Sequence, residues 1–471
     1  MTNVQQFFRV KLPIFSFGQN VPLFQFAIFY NMDMEICPGA SMFVNGKTYV
    51  DGNVWADPSS GATLTFADTM ETTSNIFYTR NPNDPQASTP NPSVVYLAPN
   101  SPILYAPTLL SQIGTNNSFA ALLGLPPPGL DPDSIPGQAY LYNESDIIIS
   151  NSPAGTNYAF FQDPENINRL TFIPYDTNTV ISYLATNGYT TNYITNIVYH
   201  PPTHTYTTNI TSEVDPITST AYATNWCYSF VTNTTFYDYR EAKTVEAVQL
   251  NVGALKSWLS GTGSVYNPQL YNDTGHYLDS IYVYNGAPFS NTNLPAVRVA
   301  NGTILPPQGL TVATPFPLYV LGNYNASASD LGTTNVADAA PAALLGDAIT
   351  VLSTSWNDGY TVTTPLTSRN AGSTTVNAAT LEGIVPSTTI NGVKHYSGGV
   401  ENFLRLLENW SGDTLTCNGS IVVMFSSRYA TNFWQSPGVY YMVPTRNWGF
   451  DVNFSNPAKL PPLTPFVTSP L

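Results

Sequence analysis

Along the first hundred residues, apolar and polar positions alternate in runs of three or four, and two of these runs repeat. Ala40-Ser41-Met42-Phe43-Val44-Asn45-Gly46 through Asn53-Val54-Trp55 can be laid over Ala62-Thr63-Leu64-Thr65-Phe66-Ala67-Asp68 through Asn75-Ile76-Phe77 at a constant offset of 22 positions. Met42 meets Leu64, Val44 meets Phe66, Val54 meets Ile76 and Trp55 meets Phe77, while Ala40/Ala62 and Asn53/Asn75 are identical. Two-residue alternation is the period of a β-strand. A repeat of roughly 20–30 residues marks stacked units that cannot bury their apolar faces alone. Short strands with Gly or Asn at the corners predict successive coils of a β-solenoid. The alternative is a pair of ordinary hairpins. On the solenoid reading Met42, Val44, Val54, Leu64, Phe66 and Ile76 point inward, one coil apart, at about 4.8 Å per coil.

The repeat ends in a Pro/Asn stretch at 81–92, which excludes regular structure there. The pattern then divides the chain into residues 1–100 as N-terminal solenoid coils, 101–235 as a Pro/Asn/Thr/Tyr-rich insertion, and 236–471 as a strand-helix segment with C-terminal coils packed on the first. A short helix is expected near Phe119 to Leu123. Thr244 to Leu250 alternates as a strand. Asn251 then caps a helix over 252–259, with Gly261 beyond its end. Short strands follow at 310–313, 318–321, 349–353, 374–378 and 415–425. Residues 400–410 place Phe403, Leu406, Leu407 and Trp410 at i, i+3, i+4 and i+7, predicting an amphipathic helix with Glu401, Arg405 and Glu408 facing water. The fold class is mostly β.

Composition changes the picture from a generic β protein to one built for an exterior setting. Of 471 residues only 10% are charged, while Tyr numbers 30 and Pro 39. Apolar content of 43% suffices for a large core. Thr and Tyr suit strands and Asn suits turns, a balance familiar from extracellular β proteins. Net charge is −15 with no basic stripe, which argues against nucleic acid and anionic membranes as partners. No run of 18 apolar residues predicts a spanning helix, and no signal peptide is evident. Cys37, Cys227 and Cys417 are too scattered to assign a disulfide and read best as small buried hydrophobes.

Several phrases resemble a known bacterial family. These are Phe26-Ala27-Ile28-Phe29-Tyr30-Asn31, Phe236-Tyr237-Asp238-Tyr239-Arg240-Glu241, Gly309-Leu310-Thr311-Val312-Ala313-Thr314-Pro315 with Pro317 to Asn325, Asp347 to Ser353 with Trp356, and Gly399-Val400-Glu401-Asn402-Phe403 to Trp410. Over residues 24–80 and 236–460 the chain is similar to exported proteins resembling PilX-type pilus-assembly proteins. The resemblance implies a right-handed parallel β-helix on an extracellular or cell-envelope protein, with no catalytic motif to carry over. Members of that family begin with a hydrophobic helix of the type IV pilin kind, which this sequence lacks. The expectation is a start upstream of Met1 or a shortened gene.

Candidate chemistry is sparse. Asp33, Glu35, Asp51, Asp57, Asp68 and Glu71 are acids on the coils, of which Asp51 and Asp57 share a face. A glycosidase needs two carboxylates across one bond, whereas corner Asp residues usually satisfy backbone N–H groups. His200 and His204 flank Pro201-Pro202, which forbids the helical metal pair that their spacing suggests; His276 and His395 stand alone. Tyr319 to Asn325 with Asp330 offers oxygen ligands without a recognised calcium spacing. Asn209, Asn301 and Asn418 begin Asn-x-Ser/Thr triplets, frequent by chance at this composition. Trp226, Trp356, Trp410, Trp434 and Trp448 are core residues or sugar-stacking platforms. The expectation is a non-catalytic structural or surface protein tied to pilus-like assembly or adhesion, partnered by envelope or pilus proteins or by polysaccharide. No catalytic, cofactor or metal residue is assigned. The alternative is a β-helix that binds or cleaves carbohydrate.

Overall fold

The 22-residue repeat is a repeat of parallel strand pairing. In the computed structural model, which describes residues 19–86, 89–111, 118–162, 170–184, 189–200, 205–216, 220–260 and 278–469, Met42–Val44 pairs in parallel with Leu64–Phe66, Met42 against Leu64 and Val44 against Phe66. Thr48–Val50 pairs likewise with Met70–Thr72, and Val54 with Ile76. Each step along the repeat therefore advances three short strands by one strand spacing, each in a different sheet. These segments are not hairpins. Val44, Val54, Leu64 and Phe66 are buried, while Met42 and Ile76 are half-buried against the core.

One twelve-stranded sheet runs through the molecule. It passes from Ile103–Leu104 through Met70–Thr72, Thr48–Val50 and Ile28–Tyr30 to Ile421–Ser426. It continues through Ala379–Ile384, Ala342–Leu345, Leu310–Ala313, Ser280–Asn285 and Ile147–Asn151 to Asn157–Gln162 and Leu170–Phe172. The N-terminal strands thus stack onto the last C-terminal one, Ile28 opposite Ile421. The chain leaves the sheet at Leu104, at one end, and re-enters it at Ile147, and described residues between the two bond across to other parts of the fold. Tyr49 Oη donates to the Pro107 carbonyl (2.9 Å), Ser118 Oγ to that of Met424 (2.9 Å), and Tyr282 Oη to that of Leu123 (2.6 Å). From the C-terminal stretch, the Pro462 carbonyl accepts from Thr311 Oγ1. Covered on both faces, strands such as Ile28–Tyr30 are buried at every position and read as continuous apolar runs.

A second sheet of six strands joins Val231–Asp238, Lys243–Asn251, Asn293–Ala300, Leu318–Leu321, Ile349–Leu352 and Arg405–Leu406. A third joins Thr374–Asn377, Thr414–Gly419 and Thr445–Phe450, and its corner is tied by an asparagine ladder. Asn377 Nδ2 donates to the Asn325 carbonyl (3.0 Å) and Asn418 Nδ2 to Asn377 Oδ1 (2.8 Å). The 415–425 stretch is two strands, Thr414–Gly419 and Ile421–Ser426, turned at Ser420. The Val252–Leu259 helix forms with Asn251 Oδ1 accepting from the Ala254 N–H, as the capping pattern predicts, and Ser118–Leu122 is helical near the expected place. Gly261 lies outside the described residues. No helix among the described residues is long and apolar enough to cross a membrane.

The expected amphipathic helix over 400–410 is not one. Val400–Asn402 is a single 3-10 turn, and Arg405–Leu406 is a strand pairing with Ile349–Leu352. Phe403, Leu406, Leu407 and Trp410 are buried as expected, but so are Glu401, Arg405 and Glu408. A helix leaves one face to water, whereas here chain packs on every side and the charged residues find partners within it. Glu408 accepts from the Ser353 N–H and Oγ, both at 2.7 Å, and Arg405 pairs with Glu241.

Candidate functional site

The main sheet is continuous where N- and C-terminal strands meet, but the side sheets are not. Thr445–Phe450 ends one three-stranded sheet and Met42–Val44 ends another, and the two edge strands do not pair. At one corner they are pinned, the Phe450 N–H donating to Asn45 Oδ1 at 2.7 Å. Away from that corner they part around a cleft of about 820 Å³. Its walls include Ser41, Phe43, Asn45, Arg446, Asn447 and Trp448.

Strand register gives the cleft its character. Arg446 lies opposite Leu415 and Trp448 opposite Cys417. Leu415 is fully buried, so Arg446 and Trp448 occupy inward positions that a closed stack would fill with apolar side chains. The Arg446 guanidinium sits 5.6 Å from the Trp448 ring centre and donates through Nη2 to Asn402 Oδ1 (2.9 Å). Two buried donors, Arg446 Nε and Trp448 Nε1, have no hydrogen-bond partner. Phe43, on the facing edge, is 57% exposed.

Among the described residues Glu401 is the single acid in the cleft wall. It accepts from the Cys37 N–H (3.2 Å) and from Tyr396 Oη (3.3 Å). Burial raises its carboxyl, opposed by its own backbone N–H, by Arg446, by the Cys37 N–H and by Arg80. Nearby, burial pushes Glu35 up to about 7, partly offset by the Ser387 and Ser397 hydroxyls. Glu35 belongs to a separate small cavity of about 20 Å³, shared with Asp33, Arg240 and Arg405, with room for roughly one water.

The other coil acids hold turns. Asp33 accepts from the Asn53 N–H (2.7 Å), Asp51 from Thr73 Oγ1 (3.0 Å), Asp57 from the Asn91 N–H (2.8 Å) and Asp68 from the Thr69 N–H (2.6 Å). Glu71 lies half-exposed in its strand. A further buried group is equally structural. Asp347 accepts from the N–H groups of Arg428, Tyr429 and Ala430, and Glu241 binds Arg405 Nη1 at 2.7 Å.

The remaining candidates resolve individually. His395 stacks on Phe433 at 4.0 Å. His200 ends a strand, its side chain outside the described residues along with those of Trp226 and Asn209; His204 and His276 are also outside them. Cys37 and Cys417 are thiols that burial pushes far up, and Cys227 is half-buried. Asn325 is engaged in the ladder, and Asp330 is held by Ser327 and Asn335. Among the described residues no group of three or more His, Cys, Asp or Glu could hold a metal ion. Asn418 is buried in the ladder, while Asn301 sits at a left-handed corner (φ 55°). Trp410 is buried, and the indoles of Trp356 and Trp434 donate to Asp358 and Tyr441. Sequence reasoning named Trp448 among five tryptophans but missed Arg446 and the cleft itself. The alternation of Arg446, Trp448 and Phe450 was the available signal. No protein-family model, curated protein or solved structure matches this chain.

Proposed function

We propose that the protein is a right-handed parallel β-helix serving as a non-catalytic structural protein of the bacterial surface, associated with pilus-like assembly or adhesion. The observation behind this reading is the in-register parallel stacking of short strands in several sheets at once, tied at a corner by the Asn325–Asn377–Asn418 ladder. Such a stack is a rigid rod with a polar, weakly charged exterior. The coil acids support the non-catalytic part, since each hydrogen bond named above goes to a turn or a strand corner rather than to a shared reaction centre. General acid–base chemistry needs two groups converging on one bond. Handedness, pilus association and surface location rest on the family resemblance.

Two measurements test the reading. Fractionation and antibody labelling of intact native cells should find the protein on the outside; an exclusively cytoplasmic pool sinks the surface assignment. The purified chain should release no product from pectin, alginate, xylan or peptidoglycan. Turnover abolished by Asp51→Ala or Asp57→Ala would make it an enzyme instead.

A further inference from the structure

We propose that the cleft between Met42–Val44 and Thr445–Phe450 is a binding site for a neutral saccharide, held without being cleaved. The proposal goes beyond the structural role and does not depend on pilus association. Its first support is size: about 820 Å³ lies within the roughly 300–1,000 Å³ of small-ligand sites. Its second is the pairing in one wall of a half-buried cation with an aromatic ring, the Arg446 guanidinium lying 5.6 Å from the Trp448 ring centre and bonded to Asn402 Oδ1 at 2.9 Å.

The third support is the mixture of surfaces. Phe43 presents an exposed ring, and Trp448 an indole, among the amides of Asn45 and Asn447 and the hydroxyls of Ser41 and Thr445. A pyranose matches this combination, with an apolar C–H face for a ring and hydroxyls that both donate and accept. Charge selects the neutral kind. Arg446 is the one cation among the described residues of the wall and is already bonded to Asn402, and the chain as a whole carries −15, which disfavours a polyanion. The absence of cleavage follows from the acids. Glycoside hydrolysis ordinarily uses two carboxylates on opposite sides of the bond, and among the described residues Glu401 is the single carboxylate in this wall.

The test is calorimetric titration of the full chain with cello-, xylo- and chito-oligosaccharides, and with oligogalacturonate as the acidic comparison. At least one neutral series should bind, and oligogalacturonate should bind more weakly. Trp448→Phe shrinks the ring beside Arg446; Phe43→Ser deletes the exposed ring. Each should weaken binding about tenfold, the scale of one lost good contact, with an unchanged melting temperature. Leu97→Ser, in the last N-terminal turn and outside the cleft wall, should leave affinity unaltered. Failure of every neutral series to bind overturns the proposal. So does tighter binding of oligogalacturonate, affinity indifferent to both cleft substitutions, or release of shortened product.

Discussion

Val54 is fully buried between Met34 on one neighbouring strand and Ile76 on the other. Val54→Asp should therefore cost several kcal/mol, since it strands a charge with no partner in the core. Urea denaturation measures it, and a loss below about 1 kcal/mol would mean that the coil opens to water there. Glu35 is the more informative acid because its state changes near neutrality. Its folded carboxyl is raised from an ordinary 4.5 to about 7. Below about pH 4.5 folded and unfolded chains are both protonated, and its contribution is fully present. Between 4.5 and 7 the unfolded chain has given up the proton that the folded chain keeps. Stability then falls by about 1.4 kcal/mol per pH unit for this group and levels off above 7. Glu408, also raised to about 7, adds a slope of the same sign. Glu35→Gln should raise the melting temperature at pH 7.5 and leave it nearly unchanged at pH 4. A gain of equal size at both values would show that burial of the charge is not the cause.

Among the elements, the 400–410 segment teaches the most. Its apolar spacing fits a helix, and the same four side chains are buried in the structure, but on a 3-10 turn followed by a strand. Periodicity reports which side chains go inside; it does not report which backbone takes them there when chain packs on every side. The buried Arg405–Glu241 pair makes this testable, because Arg405 Nη2 also donates to the Ala430 carbonyl at 2.7 Å. Arg405→Met alone should destabilise by about 3–5 kcal/mol by leaving Glu241 uncompensated. Adding Glu241→Leu should recover much of that. A double variant as unstable as the sum of the two singles would show that the two residues are not coupled, and would overturn this account.

Across the whole molecule, stacking order departs from chain order. Ile28–Tyr30 is flanked by Thr48–Val50 on one side and Ile421–Ser426 on the other. The N-terminal strands therefore share one sheet with strands nearly 400 residues away, the Ser420 Oγ donating to the Phe26 carbonyl across |i−j| = 394 at 2.6 Å. Nicking the exposed 124–135 stretch should leave the pieces associated and melting in one transition. Release of a folded C-terminal fragment that melts by itself would show two independent units.

The strand spacing, the parallel register between Met42 and Leu64, and the capped helix after Asn251 were all legible in the residues. Alternation and capping act between neighbours in sequence, and the register shows as a repeat at constant offset. The Asp residues at bends were legible as such, but Asp33, Asp51 and Asp57 accept from residues 20, 22 and 34 positions away, and Asp68 alone of these bonds its own turn. What the tertiary structure decided is everything set by distant chain. It placed the first strands against the last, buried Glu401, Arg405 and Glu408 beside partners, and parted two edge strands so that Arg446 and Trp448 line a cleft. Alternation marks 446, 448 and 450 as one face of a strand, but whether that face meets core or open space depends on the strand beside it. That strand is Met42–Val44, some 400 positions away, and no local pattern reaches so far.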